Sequence, residues 1–186
     1  MMMKKWIIGL VFASLVLPLQ RSIAGDRVTV AKLSTMQQIF LIKELKSGIK
    51  KIGILCNVSQ HPGLKQKLAR IGAQLGISMI IENTPDLLSV SKNFKHLVNQ
   101  MKVEAIWVFP DGALNQEVAK KYLVKEAILS KVMLVTSDPE WVKKGATICA
   151  QKGNDQIRIF LNKKAVTLLG LEISDGFSKN FDLVLN

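Results

Sequence analysis

Between Glu104 and Asn115 the chain reads Glu-Ala-Ile-Trp-Val-Phe-Pro-Asp-Gly-Ala-Leu-Asn, an unbroken apolar run that stops at a proline. No polar residue alternates with the apolar ones, so a strand here has both faces covered, as in a parallel sheet between helices. Pro110 has no N–H to give to a ladder and ends the strand. Asp111, Gly112 and Asn115 then fall where the chain turns into the next helix. In open α/β sheets that carboxyl edge is where ligands sit. Asp111 is therefore a candidate ligand contact. Two structural readings stand beside it: a cap for a helix beginning near Leu114, or a support for the Pro-Asp-Gly turn.

The flanking sequence repeats the strand-then-helix pattern. Lys51 to Asn57, Ile77 to Glu82, Val132 to Ser137 and Ala146 to Ala150 are short aliphatic runs, each expected as a strand. Helices are expected between them: from Ser34 or Thr35 to Gly48, with Met36, Ile39 and Phe40 on its apolar face, and from Pro62 to Leu75, stopped by Gly76. Further helices run from about Ser89 to Met101 and from Leu114 to Ser130, the latter with Val118, Ala119, Tyr122, Leu123 and Ala127 facing inward, and a short one covers Pro139 to Lys144. Arg27 to Lys32 reads as a strand or an extended arm. Right-handed crossovers join such units into one α/β domain with a parallel sheet in the order 2-1-3-4-5 and helices on both faces. In the tail, Gln156 to Leu161 alternates like a strand, yet Ile157, Phe160, Leu161, Leu168 and Leu169 also suit one helix ending at Gly170.

Lys4 and Lys5, the apolar stretch from Trp6 to Leu17, Pro18 and the small residues Ser22 and Ala24 have the layout of a secretory signal peptide over 1–24, with cleavage expected after Ala24. The remainder, 25–186, suits a single exported domain, periplasmic in a bacterium. Loss of Lys4, Lys5 and Arg21, and of no acid, lowers the net charge from +12 to +9. The lysines are scattered without interleaved aromatics, which fits a solvated basic surface; nucleic acid is not expected as a partner. Cys56 and Cys149 sit in apolar runs and are expected as buried thiols, separated by two strands in the proposed order. The chain holds no Cys-x-x-Cys, histidine cluster, P-loop, Gly-x-Ser-x-Gly or dinucleotide fingerprint, so no metal, cofactor or enzymatic activity is expected. His61 and His96 are read as solvated, Trp107 and Trp141 as core.

Five stretches carry a family likeness: Lys51 to Asn57, Leu75-Gly76, Val103 to Asp111, Val142 to Ala146 and Asn162 to Leu171. In their order and spacing, from about residue 36 onward, the chain resembles the C-terminal part of bacterial ABC-transporter substrate-binding proteins, the periplasmic binding proteins that include tryptophan and tyrosine binders. The resemblance implies a Rossmann-like lobe of a type I periplasmic binding protein, non-enzymatic, serving a small-molecule solute. For the tail it makes strand then helix the preferred reading. By position it also implies that Asn57 and Ser59, Asp111, and Ser137 with Asp138 face the ligand cleft; Asn115 joins them from the strand-end argument. Family members carry two lobes, whereas residues 25–186 have room for little more than one. The expected partners are therefore a small solute, a membrane transport or sensory protein that docks on the lobe, or a second copy in a homodimer.

Overall fold

The computed structural model describes residues 33–153 and 156–186. The expected leader and the Arg27 to Lys32 segment lie outside the described residues.

The elements in chain order are α1 (Thr35–Leu45), β1 (Lys51–Cys56), α2 (Leu64–Leu75), β2 (Ser78–Asn83), α3 (Leu87–Lys95), β3 (Ala105–Val108), α4 (Glu117–Leu129), β4 (Met133–Thr136), α5 (Pro139–Lys143), β5 (Ile148–Lys152), β6 (Ile157–Leu161), α6 (Lys163–Leu168), α7 (Asp175–Asn180) and β7 (Asp182–Leu185). The strands form one sheet in the order β2-β1-β3-β4-β5-β6-β7. The expected 2-1-3-4-5 core is present and parallel throughout. Two strands extend it. β6 turns back antiparallel on β5 through Gly153, and β7 returns parallel to β6 after α6 and α7. The preferred reading of the tail is therefore right as far as α6, and α7 and β7 come in addition.

Alternate residues along each strand enter opposite cores, as the two-residue repeat of a strand requires. Ile52, Ile54, Ala105, Trp107, Met133 and Val135 meet α1, α2, α6 and α7 on one face. Leu55, Ile106, Val108 and Leu134 meet α3, α4 and α5 on the other. Gly53 is small because Leu97 lies where its side chain would be, the nearest methyl 2.8 Å from an ideal Cβ.

Several helix boundaries and faces differ from expectation. α2 begins at Leu64 after a left-handed Gly63, not at Pro62, and α3 begins at Leu87 because Asp86 and Ser89 form a reciprocal capping box. Residues Gly112–Asn115 form a separate 3-10 turn, so α4 starts only at Glu117. On α1 the buried stripe is Gln38, Ile39, Leu41, Ile42 and Leu45, which turns Met36 and Phe40 outward. On α4, Val118 is 69% exposed rather than inward-facing.

Candidate functional site

At the carboxyl edge of the parallel strands, the loops after β1, β3 and β4 lie side by side because those strands are neighbours, each about 4.8 Å from the next. Asp111 stands at the centre. Its backbone carbonyl accepts the N–H of Leu114 at 2.9 Å, and its side chain makes no cap to the turn that follows. The carboxylate points across to the neighbouring loop instead. Oδ1 accepts the backbone N–H of Asn57 at 3.2 Å, and Oδ2 lies 2.5 Å from Nε2 of His61. The helix-cap reading of Asp111 therefore does not hold: the carboxylate ties the β1 loop to the β3 loop.

His61, expected to be solvated, is half-buried. Its side chain is 28% exposed against 13% for Asp111, and its ring stands edge-on to Phe109 with centroids 4.9 Å apart. Phe109 in turn leans on Trp107 at 4.6 Å. A carboxylate and an imidazole thus sit on an aromatic step rising from the core to the surface. Sequence reasoning missed His61 and Phe109, although each belongs to a segment that it had assigned to this edge.

The remaining predicted site residues have different roles. Asn57 accepts from the N–H and the hydroxyl of Ser59, at 3.3 and 2.7 Å, holding the short turn Val58–Gln60. Asn83, at the end of β2, accepts the N–H of Val58 at 3.0 Å. Asp138 caps α5 by accepting from the N–H of Glu140 at 3.0 Å, while its own N–H donates to Thr136. Ser137 is half-buried and Asn115 exposed. Only Asn57, Ser59, Asp111 and His61 form one connected group; among the described residues no hydrogen bond joins Ser137, Asp138 or Asn115 to it.

Beside Asn83 and Val58 lies a cavity of about 180 Å³, also lined by Leu64, Lys65 and Ile81. Small-molecule sites usually enclose ~300–1,000 Å³. This cavity is smaller than that range. The rim is apolar as well: Leu88 at the start of α3 is 90% exposed, and Val118 at the start of α4 is exposed too, with Val58 and Leu87 beside the same loops.

The two cysteines are not reactive groups of the site. Burial, aided by the charge of Asp111, pushes the Cys56 thiol up to about 11, and burial with Asp138 pushes Cys149 up to about 12. Both are free and buried, on strands separated by β3 and β4, about 14 Å apart, where a disulfide needs Cα atoms within ~7 Å. Trp141 is wholly buried in the core and does not line the edge; its indole N–H has no partner among the described residues. Among the described residues no cluster of three or more His, Cys, Asp or Glu could hold a metal ion.

Compared with known families, the chain matches the one described as ABC transporter substrate binding protein over residues 10–157. None of the curated proteins matches. Among solved structures, the fold is similar to a conserved domain protein from Vibrio cholerae O1 biovar El Tor, at TM-score 0.69 and 18% identity, with 84% of this chain and 62% of that one covered. It is also similar to the ABC domain of Streptococcus pneumoniae solved in complex with L-Trp (TM-score 0.65, 20% identity, 81% and 61% covered). A third is CD0873 of Clostridium difficile in its ligand-free, open structure, a substrate binding protein with adhesive properties (TM-score 0.66, 18% identity, 83% and 60% covered). The matched part of the chain spans about 60% of the length of these proteins.

Proposed function

The chain belongs to the ABC transporter substrate-binding protein family, and from that premise we propose that it is an exported, non-enzymatic lobe that holds a small solute at the carboxyl edge of its sheet for an ABC-type transport system. The observation that carries this reading is the Asp111 carboxylate, which stands on an aromatic step at the strand end with one oxygen held by a backbone N–H and the other bonded to His61. A carboxylate so placed accepts hydrogen bonds and favours a ligand with an ammonium or other cationic group. Phe109 offers part of an aromatic face beside it. Amino acids, with L-tryptophan first because the S. pneumoniae neighbour carries it, are the probes of choice.

Isothermal titration of the chain from Gly25 onward with a panel of L-amino acids tests the reading. Saturable heat that Asp111→Ala weakens is the expected result; saturable heat that Asp111→Ala leaves unchanged removes this edge as the site. Export is tested by N-terminal sequencing of the protein from the envelope fraction of its host, with Gly25 expected at the start.

The exposed Leu88 and Val118 on the rim favour a second reading, in which another protein surface covers this edge and the lobe acts as an interaction module. A second copy is one such cover. Light scattering over a range of concentrations, with and without ligand, distinguishes a homodimer from a monomer, and Leu88→Ser weakens association if the rim is the contact.

A further inference from the structure

The outer face of α4 carries apolar residues that neither the fold nor the carboxyl-edge site uses. Its inner face is complete: Ala119, Leu123, Val124 and Ala127 are buried. Yet Leu129 is 66% exposed, and Ile128 beside it is partly exposed. These two residues, with Val124, floor an open groove of about 520 Å³ whose other walls are Lys121, Lys125 and Lys144. Toward the amino edge of the sheet the apolar surface continues, because Ile128 lines a small crevice together with Leu168 and Leu169 at the end of α6, and Leu168 is itself exposed. Lys144 is paired with Glu117 at 2.6 Å. Lys121 and Lys125 have no acidic partner among the described residues: Glu117, the exposed acid one turn before Lys121, pairs with Lys144 and Lys120, and the half-buried Glu126 pairs with neither.

We propose that this groove and the apolar end of α4 are a docking surface for an anionic membrane, with Ile128, Leu129 and Leu168 entering the interface and Lys121 and Lys125 lying on acidic headgroups. The make-up of the patch chooses between a membrane and a protein partner. Protein interfaces are depleted in lysine and draw their binding energy from Trp, Tyr and Arg, and this groove has none of those three. Long lysine stems laid over aliphatic side chains, with their charges reaching outward, suit a lipid headgroup layer. The chain's excess of positive charge adds a long-range attraction to the same surface. The groove lies on the side of α4 and toward the amino edge, so docking there leaves the carboxyl edge with Asp111 open to solvent and solute.

Vesicle co-sedimentation tests this with the chain from Gly25 onward, which carries both cores and all seven strands. Binding is expected to vesicles of mixed phosphatidylglycerol and phosphatidylcholine, not to pure phosphatidylcholine, and to weaken as salt shortens the screening length. The double variant Lys121→Glu/Lys125→Glu is expected to lower the partition coefficient about tenfold or more, and Leu129→Ser several-fold. Lys65→Glu/Lys67→Glu, on α2 across the sheet, makes the same charge change away from the groove and is expected to retain most of the binding. Equal losses from the two double variants mean a diffuse effect of net charge and overturn the proposal. So does an absence of binding to anionic vesicles at low salt, or binding to an acidic amphipathic peptide but not to vesicles. All these substitutions are at exposed positions, and circular dichroism checks that each variant keeps its fold.

Discussion

If Asp111 receives the cationic group of a solute, His61 must let it go, and the two residues should then respond to substitution with opposite signs. Asp111→Asn is the more informative change at the carboxylate, because the amide oxygen can still accept the N–H of Asn57 and keep the two loops together. What it removes is charge. A hydrogen bond to a charged group contributes ~1.5–3 kcal/mol, so affinity for an amine-bearing solute should fall by a factor of about 10–150 at ~1.4 kcal/mol per tenfold. His61→Ala acts the other way. The pair is partly open to water, where such contacts are worth ~0.2–1 kcal/mol, so freeing the carboxylate should tighten binding by up to about fivefold. In the double variant the gain from His61→Ala should vanish, because no charged acceptor is left to compete for. Calorimetry on the four proteins, with whichever amino acid binds, measures all three numbers. If His61→Ala weakens binding as much as Asp111→Asn does, the histidine is itself a ligand contact and the competition argument is wrong. If Asp111→Asn changes nothing, the solute does not use this carboxylate.

Further outcomes concern stability. Gly72→Ala should destabilise despite the ~1 kcal/mol that alanine normally gains in a helix. An ideal Cβ there lies 2.5 Å from the carbonyl oxygen of Ile77, and overpacking of this kind costs ~1–3 kcal/mol or more; a thermal midpoint that rises refutes it. Asn162→Ala should cost about 2–3 kcal/mol in chemical unfolding, since the side chain both caps α6 through the N–H of Ala165 and donates to the carbonyl of Val142. Cys56 and Cys149 are held as neutral thiols, up from an ordinary value of 9.0. The unfolded chain loses these protons first as pH rises past 9, so stability is undiminished below that pH and falls between pH 9 and about 11–12. At pH 10 the loss is on the order of 1 kcal/mol for each cysteine. Denaturant midpoints from pH 8 to 10 should fall less steeply for Cys56→Ala/Cys149→Ala than for the unaltered chain, and equal slopes refute the assignment.

The sheet was legible because its central strands β1, β3 and β4 are buried on both faces and therefore written as aliphatic runs, with Pro110 closing β3 and Gly76 stopping the helix before β2. Right-handed crossovers did the rest, fixing 2-1-3-4-5 before any contact was known. The last two strands were harder. Asp182–Leu185 is a short edge strand with one side half exposed, so its composition carries no strong signal, and its place beside β6 depends on a crossover through α6 and α7. Helix faces failed at apolar residues that the core does not use. Val118 is apolar at helical spacing and was expected to face inward, yet it is 69% exposed at the start of α4, and Met36 and Phe40, expected on the apolar face of α1, are turned outward.

Asp111 shows the same division within a single residue. Its location follows from chain chemistry alone, since Pro110 must end the strand and the strand end must face the edge. Its role does not. A residue at an N-cap position with extended backbone angles ordinarily turns its oxygen onto its own helix, and the sequence reading kept that cap as one alternative beside a turn support and a ligand contact. Here the element that follows is only a 3-10 turn of four residues, whose N–H at Leu114 is already taken by the Asp111 carbonyl. The carboxylate finds the N–H of Asn57 and the ring of His61 instead, fifty or more residues away in sequence. No local pattern encodes that choice, because it exists only once β1 and β3 are side by side. A carboxylate that does not cap its own turn, and that is bonded to the Asn57 N–H and the His61 ring, keeps lone pairs for a further donor, and that makes Asp111 the residue on which the solute-binding proposal stands or falls.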